Sequence, residues 1–398
     1  MTAHRMAHMI IVTKGSHGDL VPCVALGAAL RSRAHHVSLV THRRYASMVN
    51  NAGLTHVACD TAAAGDAFIA DGGLLDRPAS IPEFARRHVF PTLADEYALI
   101  ADCCDTSDTV LIVRHMGSLA AEFVAERLNL PLVVLFTAVA QASCLPLLER
   151  LYSGPLESDI NENRSALGLP TIVDWRQWCH RARMYLASWP SWFADPLPTW
   201  PQDVRTVGFL RADALESGNL PNQVTAMFDH PGPAPVLITG GTAVWVLASR
   251  FYEVAARACA RVGRQGILVC PHDELIPGEL PPSIKRFARL PFASLAPRVA
   301  AVVHHGGSSI SARAIAARIP QLVMPYGGDR PDNGRRVERL GLGKCLLPGQ
   351  WEETIVAEAL ATVLSSTELR LNCVQASVCD DDTALDSGCS AIEQLARM

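Results

Sequence analysis

Continuous apolar runs, each closed by a turn and followed by a small-residue or amphipathic stretch, recur along the chain. Met9, Ile10, Ile11 and Val12 open the series within residues 9–13. An unbroken run of this kind marks a strand buried on both faces of a parallel sheet. The turn Lys14-Gly15-Ser16-His17-Gly18-Asp19 follows, and then a helix with Val24, Leu26, Gly27, Ala28 and Leu30 as its small apolar positions. Pro22 falls in the first turn of that helix, where its missing N–H is harmless. Residues 36–40 read as the second strand and complete a βαβ unit. Strands at 110–113 and 132–136 and a helix at 119–128 continue the alternation. It breaks between 65 and 97, a segment predicted to be helical and loop-rich.

Trp175, Trp178, Trp189, Trp192 and Trp200 then crowd together among Pro190, Pro196, Pro198 and Pro201. Their rings either pack helices onto the sheet or line an apolar acceptor cleft, since indole covers a large area and keeps one donor. Residues 211–235 are rich in Pro, Gly, Asn and Asp, lack a strand pattern, and read as an interdomain linker. After them the rhythm restarts, with strands at 236–239, 266–270, 300–304 and 321–325 and helices at 251–262 and 311–318. The pattern predicts an α/β protein of two Rossmann-like domains with parallel sheets, 1–210 and 236–380, followed by a terminal helix in 381–398.

Composition narrows the class. A chain of 398 residues is long enough for two cores, and 49% hydrophobic with 19% charged residues fits a well-buried globular enzyme. A net charge of -4 gives no electrostatic footprint for nucleic acid. The first apolar run is far too short to span a bilayer, and no early stretch carries a leader pattern, so a soluble, cytoplasmic protein is expected. The 12 cysteines include the adjacent Cys103 and Cys104 but no C-x-x-C pair. They are expected to be reduced thiols and not a zinc site or a disulfide framework.

The densest chemistry is His304-His305-Gly306-Gly307-Ser308-Ser309-Ile310-Ser311, between a predicted strand and a predicted helix. Glycines there allow a tight turn and close approach of backbone to a ligand. The helix start offers unpaired N–H groups and a partial positive charge, which together seat a phosphate. His305 could donate to a phosphate oxygen, with Ser308, Ser309 or Ser311 adding hydroxyls; the alternative is a structural role for His305 in capping the helix.

With this motif the chain resembles the family 1 enzymes of the UDP-glycosyltransferase superfamily, especially the bacterial branch that decorates antibiotics and other natural products. The likeness is sharpest over residues 14–26, 237–242 and 290–343, the last containing VVHHGGSSISARAIAARIPQLVMPYGGDRPDNGRR. It implies the GT-B fold, two Rossmann-like domains facing a central cleft, with the terminal helix packing back on the first. It also implies a UDP- or dTDP-sugar as co-substrate, no metal ion, and a small-molecule acceptor bound through the variable stretches 65–97 and 141–200. By the resemblance, His305 with Gly306 and Gly307 contacts the donor diphosphate, Thr242 adds a phosphate contact, and Asp329 grips the sugar hydroxyls. This chain departs from the pattern at three places. Ser309-Ile310 stands where relatives carry Gly-Thr, so Ser309 or Ser311 would supply the hydroxyl. Arg330 replaces the glutamine after the acidic residue, and either favours an unusual sugar or pairs with Asp329 or Asp332. Arg289 occupies the place of the aromatic residue that stacks on the nucleobase.

In the first half, Gly15-Ser16-His17-Gly18-Asp19-Leu20-Val21-Pro22 is similar to the Gly-Ser-Arg-Gly-Asp-x-x-Pro turn of the antibiotic branch. Inverting transfer needs a base for the acceptor hydroxyl, and the resemblance assigns it to Asp19, with His17 as the other candidate. The competing reading is that Asp19 caps the following helix. Branches that use histidine orient it with an aspartate whose position here is Arg114, followed by His115. Asp380-Asp381-Asp382 reads as a solvated acidic run, and His35-His36 as a loop and strand start. Rival readings are a nucleotide-sugar epimerase of the same fold and a degenerate relative that binds nucleotide or a partner without transfer. A dinucleotide oxidoreductase is disfavoured because the first turn lacks G-x-G-x-x-G spacing. No motif fixes the oligomeric state or the acceptor.

Overall fold

The computed structural model describes residues 6–104, 108–213, 218–242, 250–276, 278–378 and 383–396. The chain separates into two compact units, residues 1–210 with 382–398 and residues 211–381.

The first unit is built on strands β1 (His8–Val12), β2 (His36–Thr41), β3 (Thr55–Ala58), β4 (Thr109–Arg114), β5 (Leu132–Phe136), β6 (Met184–Ala187) and β7 (Val204–Thr206). They form one sheet in the order β3-β2-β1-β4-β5-β6-β7, with every pairing parallel. Met9, Ile10, Ile11 and Val12 are all fully buried, which is why β1 carries no polar face. Helix α1 (His17–Ser32) lays Leu20, Val24, Leu26 and Leu30 on the sheet beside Ile11, Leu39 and Ile112. The terminal helix Thr383–Ala396 packs on α1, adding Ala384, Cys389, Ile392 and Leu395 to the same core. Between 65 and 97 the chain is helical and loop-rich, with helices Ala62–Ala70, Ile81–His88 and Leu93–Asp102 in and around it.

The second unit carries β8 (Val236–Thr239), β9 (Gly266–Val269), β10 (Ile284–Phe287), β11 (Ala301–His304), β12 (Gln321–Val323) and β13 (Gly343–Cys345), in the order β10-β9-β8-β11-β12-β13 and again wholly parallel. Part of the stretch read as a linker is folded. Helix Asn222–Asp229 buries Val224 and Met227 against Leu237, Ile267 and Val302, because its apolar positions recur at helical and not strand spacing. Four of the five clustered tryptophans are core residues of the first unit, with Trp178 and Trp200 donating through Nε1 to Glu126 and Ser143, while Trp192 is half-buried. The 11 cysteines within the described residues are free thiols. The Asp380-Asp381-Asp382 run lies outside the described residues.

In an open parallel sheet, ligands bind beyond the carboxyl ends of the strands where the strand order reverses. That point lies between β1 and β4 in the first sheet and between β8 and β11 in the second. The two segments singled out in the sequence leave β1 and β11.

Candidate functional site

The turn after β1 is a closed hydrogen-bonded device. Gly15 sits at φ +147°, and a Cβ there would stand 2.5 Å from Asp19 Oδ2, so glycine makes room for the carboxylate. Asp19, in the first turn of α1, accepts from the Ser16 N–H at 2.9 Å and from the Ser16 hydroxyl at 3.0 Å, both through Oδ2. The N-cap of α1 is therefore Ser16 and not Asp19, which serves the helix start from its third position by accepting from the cap residue. The other Asp19 oxygen, Oδ1, lies 3.5 Å from Arg114 Nη1 at the end of β4, and the carboxylate side chain stays 28% exposed. The Arg114 guanidinium is fixed by the carbonyls of Lys14 and His115, each at 3.1 Å. His17 opens α1 and is half-buried.

Behind this turn stand residues that the sequence did not flag. The Gly15 N–H donates to His42 Nε2 at 3.2 Å, which leaves the proton on Nδ1 to be donated to Asp60 Oδ2 at 2.5 Å. Burial acts to raise the Asp60 carboxyl, but its hydrogen bonds from His42 and the Arg43 N–H hold it below the ordinary range. Lys14 Nζ pairs with Glu96 at 2.8 Å, and Glu96 also accepts from Ser118 at 2.6 Å. Among the described residues, His42, Cys59 and Asp60 are the group that brings three potential metal-ligand atoms within 4.8 Å of one another. The His42 lone pair is already used by Gly15, and burial pushes the Cys59 thiol up to about 12. His42 and Asp60 are wired as a hydrogen-bond relay supporting the turn.

In the second unit, the first histidine of the pair shapes the loop and the second is held between two glycines. Fully buried His304 accepts the Gly306 N–H through Nδ1 at 3.1 Å and donates to Gln321 through Nε2 at 2.9 Å. Burial lowers its pKa to about 4. His305 lies between two glycines: a Cβ on Gly241 would stand 2.8 Å from its Cε1, and one on Gly307 would stand 2.6 Å from its Nε2. Its Nδ1 is enclosed without a partner among the described residues. Burial, then the neighbouring Arg330 charge, then His304, keep His305 far below the ordinary imidazole range. It is a neutral ring with an unspent polar atom.

Gly307 is the N-cap of helix Ser308–Ala316 and has no side chain with which to bond that end. Ser311 is buried and donates back to the Gly307 carbonyl at 3.0 Å, so its hydroxyl is committed to the helix. Of the two serines offered to compensate for Ile310, only Ser309 remains, half-buried in the first turn. Thr242 ends the turn after β8, and its carbonyl accepts from His272 Nε2 at 2.9 Å. Ser308 and Asp329 are joined, hydroxyl to Oδ2, at 3.3 Å. Arg330 donates to the carbonyls of Tyr326 and Gly327 at 2.7 and 2.9 Å, and Asp332 is taken up by Arg336 at 2.8 Å. Arg289 is exposed beyond edge strand β10, and among the described residues no hydrogen bond or ion pair joins it to the others.

Residues 9–145 match the glycosyltransferase family 28 N-terminal domain, and residues 267–389 match the erythromycin biosynthesis protein CIII-like C-terminal domain. The chain is 29% identical over 372 residues to the O-mycaminosyltylonolide 6-deoxyallosyltransferase of Streptomyces fradiae, covering 83% of each protein. It is 24% identical to the sterol 3-beta-glucosyltransferase of Pichia angusta over 90% of this chain but 31% of that protein. The spinosyn forosaminyltransferase SpnP has the same fold, with a TM-score of 0.74 at 20% identity over 99% of this chain and 100% of that one. The glycosyltransferase VinC, solved with dTDP, superposes with a TM-score of 0.73 at 18% identity over 98% and 99%. The chain belongs to the GT-B glycosyltransferase superfamily.

This glycosyltransferase is related to the bacterial natural-product enzymes, and its class moves a sugar from a nucleotide diphosphate donor to an acceptor. Among the described residues of the glycosyltransferase, no helix is long and apolar enough to cross a membrane. Besides His42, Asp60 and Glu96, the sequence reading of the glycosyltransferase missed Tyr252, which accepts the Gly240 N–H at 3.0 Å, and Asn333, which bonds Gly306, Ser308 and Asp329. Only one pattern could have pointed to Asn333: a buried amide one helical turn beyond Asp329.

Proposed function

We propose that this protein is an inverting, metal-independent hexosyltransferase that moves a sugar from a UDP- or dTDP-sugar onto a hydroxyl of a small-molecule, natural-product-like acceptor. The observation that carries the reading is neutral His305, with one ring nitrogen unspent, held between Gly241 and Gly307 beside a helix start that has no side-chain cap. A neutral imidazole donates to a phosphate oxygen without itself changing charge, and the helix start offers fixed positive dipoles where the leaving diphosphate gains charge. Thr242 and Ser309 add hydroxyls, Asp329 takes the sugar hydroxyls while Ser308 holds its Oδ2, and the Arg330 cation stands close enough to act on His305.

In the first unit, Asp19 takes the acceptor hydroxyl proton through Oδ1 while Oδ2 remains bonded to Ser16. The acceptor oxygen forms a bond to the anomeric carbon, the bond from that carbon to the diphosphate oxygen breaks, and the nucleoside diphosphate leaves with the electron pair. The test is to incubate the purified protein with a panel of UDP- and dTDP-sugars, with and without hydroxylated acceptors, and to assign the product anomer by NMR. A glycoside of inverted configuration supports the reading. An isomerised donor in the absence of acceptor, or nucleotide binding with no transfer or hydrolysis, would overturn it.

A further inference from the structure

Asn333 lies on the helix Arg330–Arg339, one turn beyond Asp329, and is only 1% exposed. It is too enclosed to touch a substrate, and a buried amide must spend its hydrogens on protein acceptors. Its Nδ2 donates to the Gly306 carbonyl and to Asp329 Oδ2, each at 2.9 Å, with Ser308 Oγ close by at 3.1 Å. The Ser308 hydroxyl donates to the same Asp329 oxygen at 3.3 Å. Oδ2 of Asp329 is thus occupied twice, while among the described residues nothing bonds Oδ1. The carboxylate torsion of an aspartate is otherwise soft, so these two donors decide which oxygen is presented.

The same amide ties two loops together. Gly306 belongs to the loop after β11, at φ +88°, and a Cβ there would meet the Arg330 carbonyl at 2.8 Å. Asp329 closes the loop after β12. We propose that Asn333 is a positioning residue for the donor: it aims Oδ1 of Asp329 at the sugar hydroxyls and fixes that oxygen relative to the loop that holds the diphosphate. The inference rests on the reading above in which Asp329 grips the sugar. Orientation held in advance by such a contact is what positioned groups contribute to transfer.

The test is a double-mutant cycle on the full chain with Asn333→Ala, Asp329→Ala and the double variant. It reads donor KM and kcat, and the Kd of the matching bare nucleoside diphosphate. Loss of a hydrogen bond to a charged group predicts a donor KM raised about tenfold in Asn333→Ala, with the nucleoside diphosphate Kd changed by less than about threefold. The double variant should be no worse than Asp329→Ala alone. Asn333→Ser, which keeps a donor in a smaller side chain, should fall between wild type and Asn333→Ala and serves if the alanine variant does not fold. Additive losses in the cycle, or a nucleoside diphosphate Kd that weakens as much as the donor KM, would overturn the positioning role while leaving Asp329 in place. An Asp329→Ala variant with unchanged donor KM would overturn the sugar-gripping role itself, and the proposal with it.

Discussion

Oδ1 of Asp19 lies 3.5 Å from Nη1 of Arg114, and the two are far apart in sequence but meet beyond the ends of neighbouring strands. Asp19 follows β1, Arg114 ends β4, and β1 and β4 are the neighbours at which the strand order of the first sheet reverses. The second sheet repeats the arrangement: Gly241 follows β8, His305 follows β11, and the imidazole rests against the glycine between those two strands. Both clusters therefore occupy the one place in each sheet where two loops diverge and leave room for a ligand.

The double engagement of Asp19 makes the base role proposed for it separable from its support of the helix start. Asn in place of Asp19 keeps an oxygen to accept the Ser16 N–H, so the start of α1 should hold and the melting temperature should barely move. The proton acceptor is lost, and turnover should fall at least about a hundredfold, the usual contribution of a positioned base. Nucleoside diphosphate affinity, which the proposal assigns to the other unit, should be unchanged; an equal loss of affinity and turnover would remove Asp19 from the chemistry. Arg114→Met should lower kcat with donor KM unchanged, because it frees Oδ1 and the Lys14 carbonyl without touching the donor loop.

The major strands were legible because they are unbroken apolar runs. Residues 132–136 and 236–239 were placed to the residue, and the others within one or two positions. β3, β6, β7, β10 and β13 escaped for a common physical reason: they are three or four residues long, and most carry little apolar character. Ile284-Lys285-Arg286-Phe287 offers no apolar run because it is an edge strand with two charged residues at its centre. In the site, glycines and histidines next to strand ends stood out, but their supports did not. His42, Asp60, Glu96 and Asn333 act through contacts across the fold, which no local spacing encodes.

Gly241 gives a test of His305 that leaves the imidazole in place. At φ +79° an alanine is strained, and its methyl would stand 2.8 Å from Cε1 of the ring. The backbone cannot yield cheaply, so the imidazole must move off its seat. Gly241→Ala should therefore weaken nucleoside diphosphate binding about as much as His305→Ala, roughly tenfold or more for one lost charge-assisted bond. Titration calorimetry of both variants checks this. Unchanged affinity in Gly241→Ala would mean that the ring position does not matter to the ligand.

His304 carries an acid-stability cost that can be assigned by sign. Burial depresses its folded-state pKa to about 4 from the ordinary imidazole value of 6.5, so its contribution is fully present above pH 6.5 and is lost as pH falls through about 4. At 1.36 kcal/mol per unit, the imidazole withholds about 3 kcal/mol from the second unit once that range is crossed. His305, depressed in the same direction, steepens the loss, while His115, lowered to about 3, acts on the first unit. Urea unfolding of His304→Asn between pH 7 and 4 should show a shallower decline for the second unit than wild type, since asparagine keeps the acceptor for the Gly306 N–H without a titrating ring.

The terminal helix is tied to the first unit by a buried carboxylate, and that bond predicts its own pH dependence. Glu393 is 5% exposed; Oε2 accepts from Arg33 at 3.1 Å and Oε1 from His35 Nε2 at 3.2 Å. The His35 proton is on Nε2 because Nδ1 already accepts the Ala7 N–H at 3.3 Å, so one imidazole joins the start of the β1 strand to the last helix. Burial acts to raise the Glu393 carboxyl, yet the bonds from His35 and Arg33 outweigh it and the pKa is lowered. A depressed carboxylate stabilises above its unfolded value and ceases to do so as pH falls through its folded value. Glu393→Gln should therefore cost about 2 kcal/mol at neutral pH, where it leaves Arg33 without its buried partner. The gap from wild type should shrink below about pH 4.5, the unperturbed carboxyl value. Unfolding curves for the two proteins from pH 7 down to about pH 2, below the whole titration range of the carboxylate, decide it, and a gap that stayed constant across that range would show that the ion pair contributes nothing to holding the helix on α1.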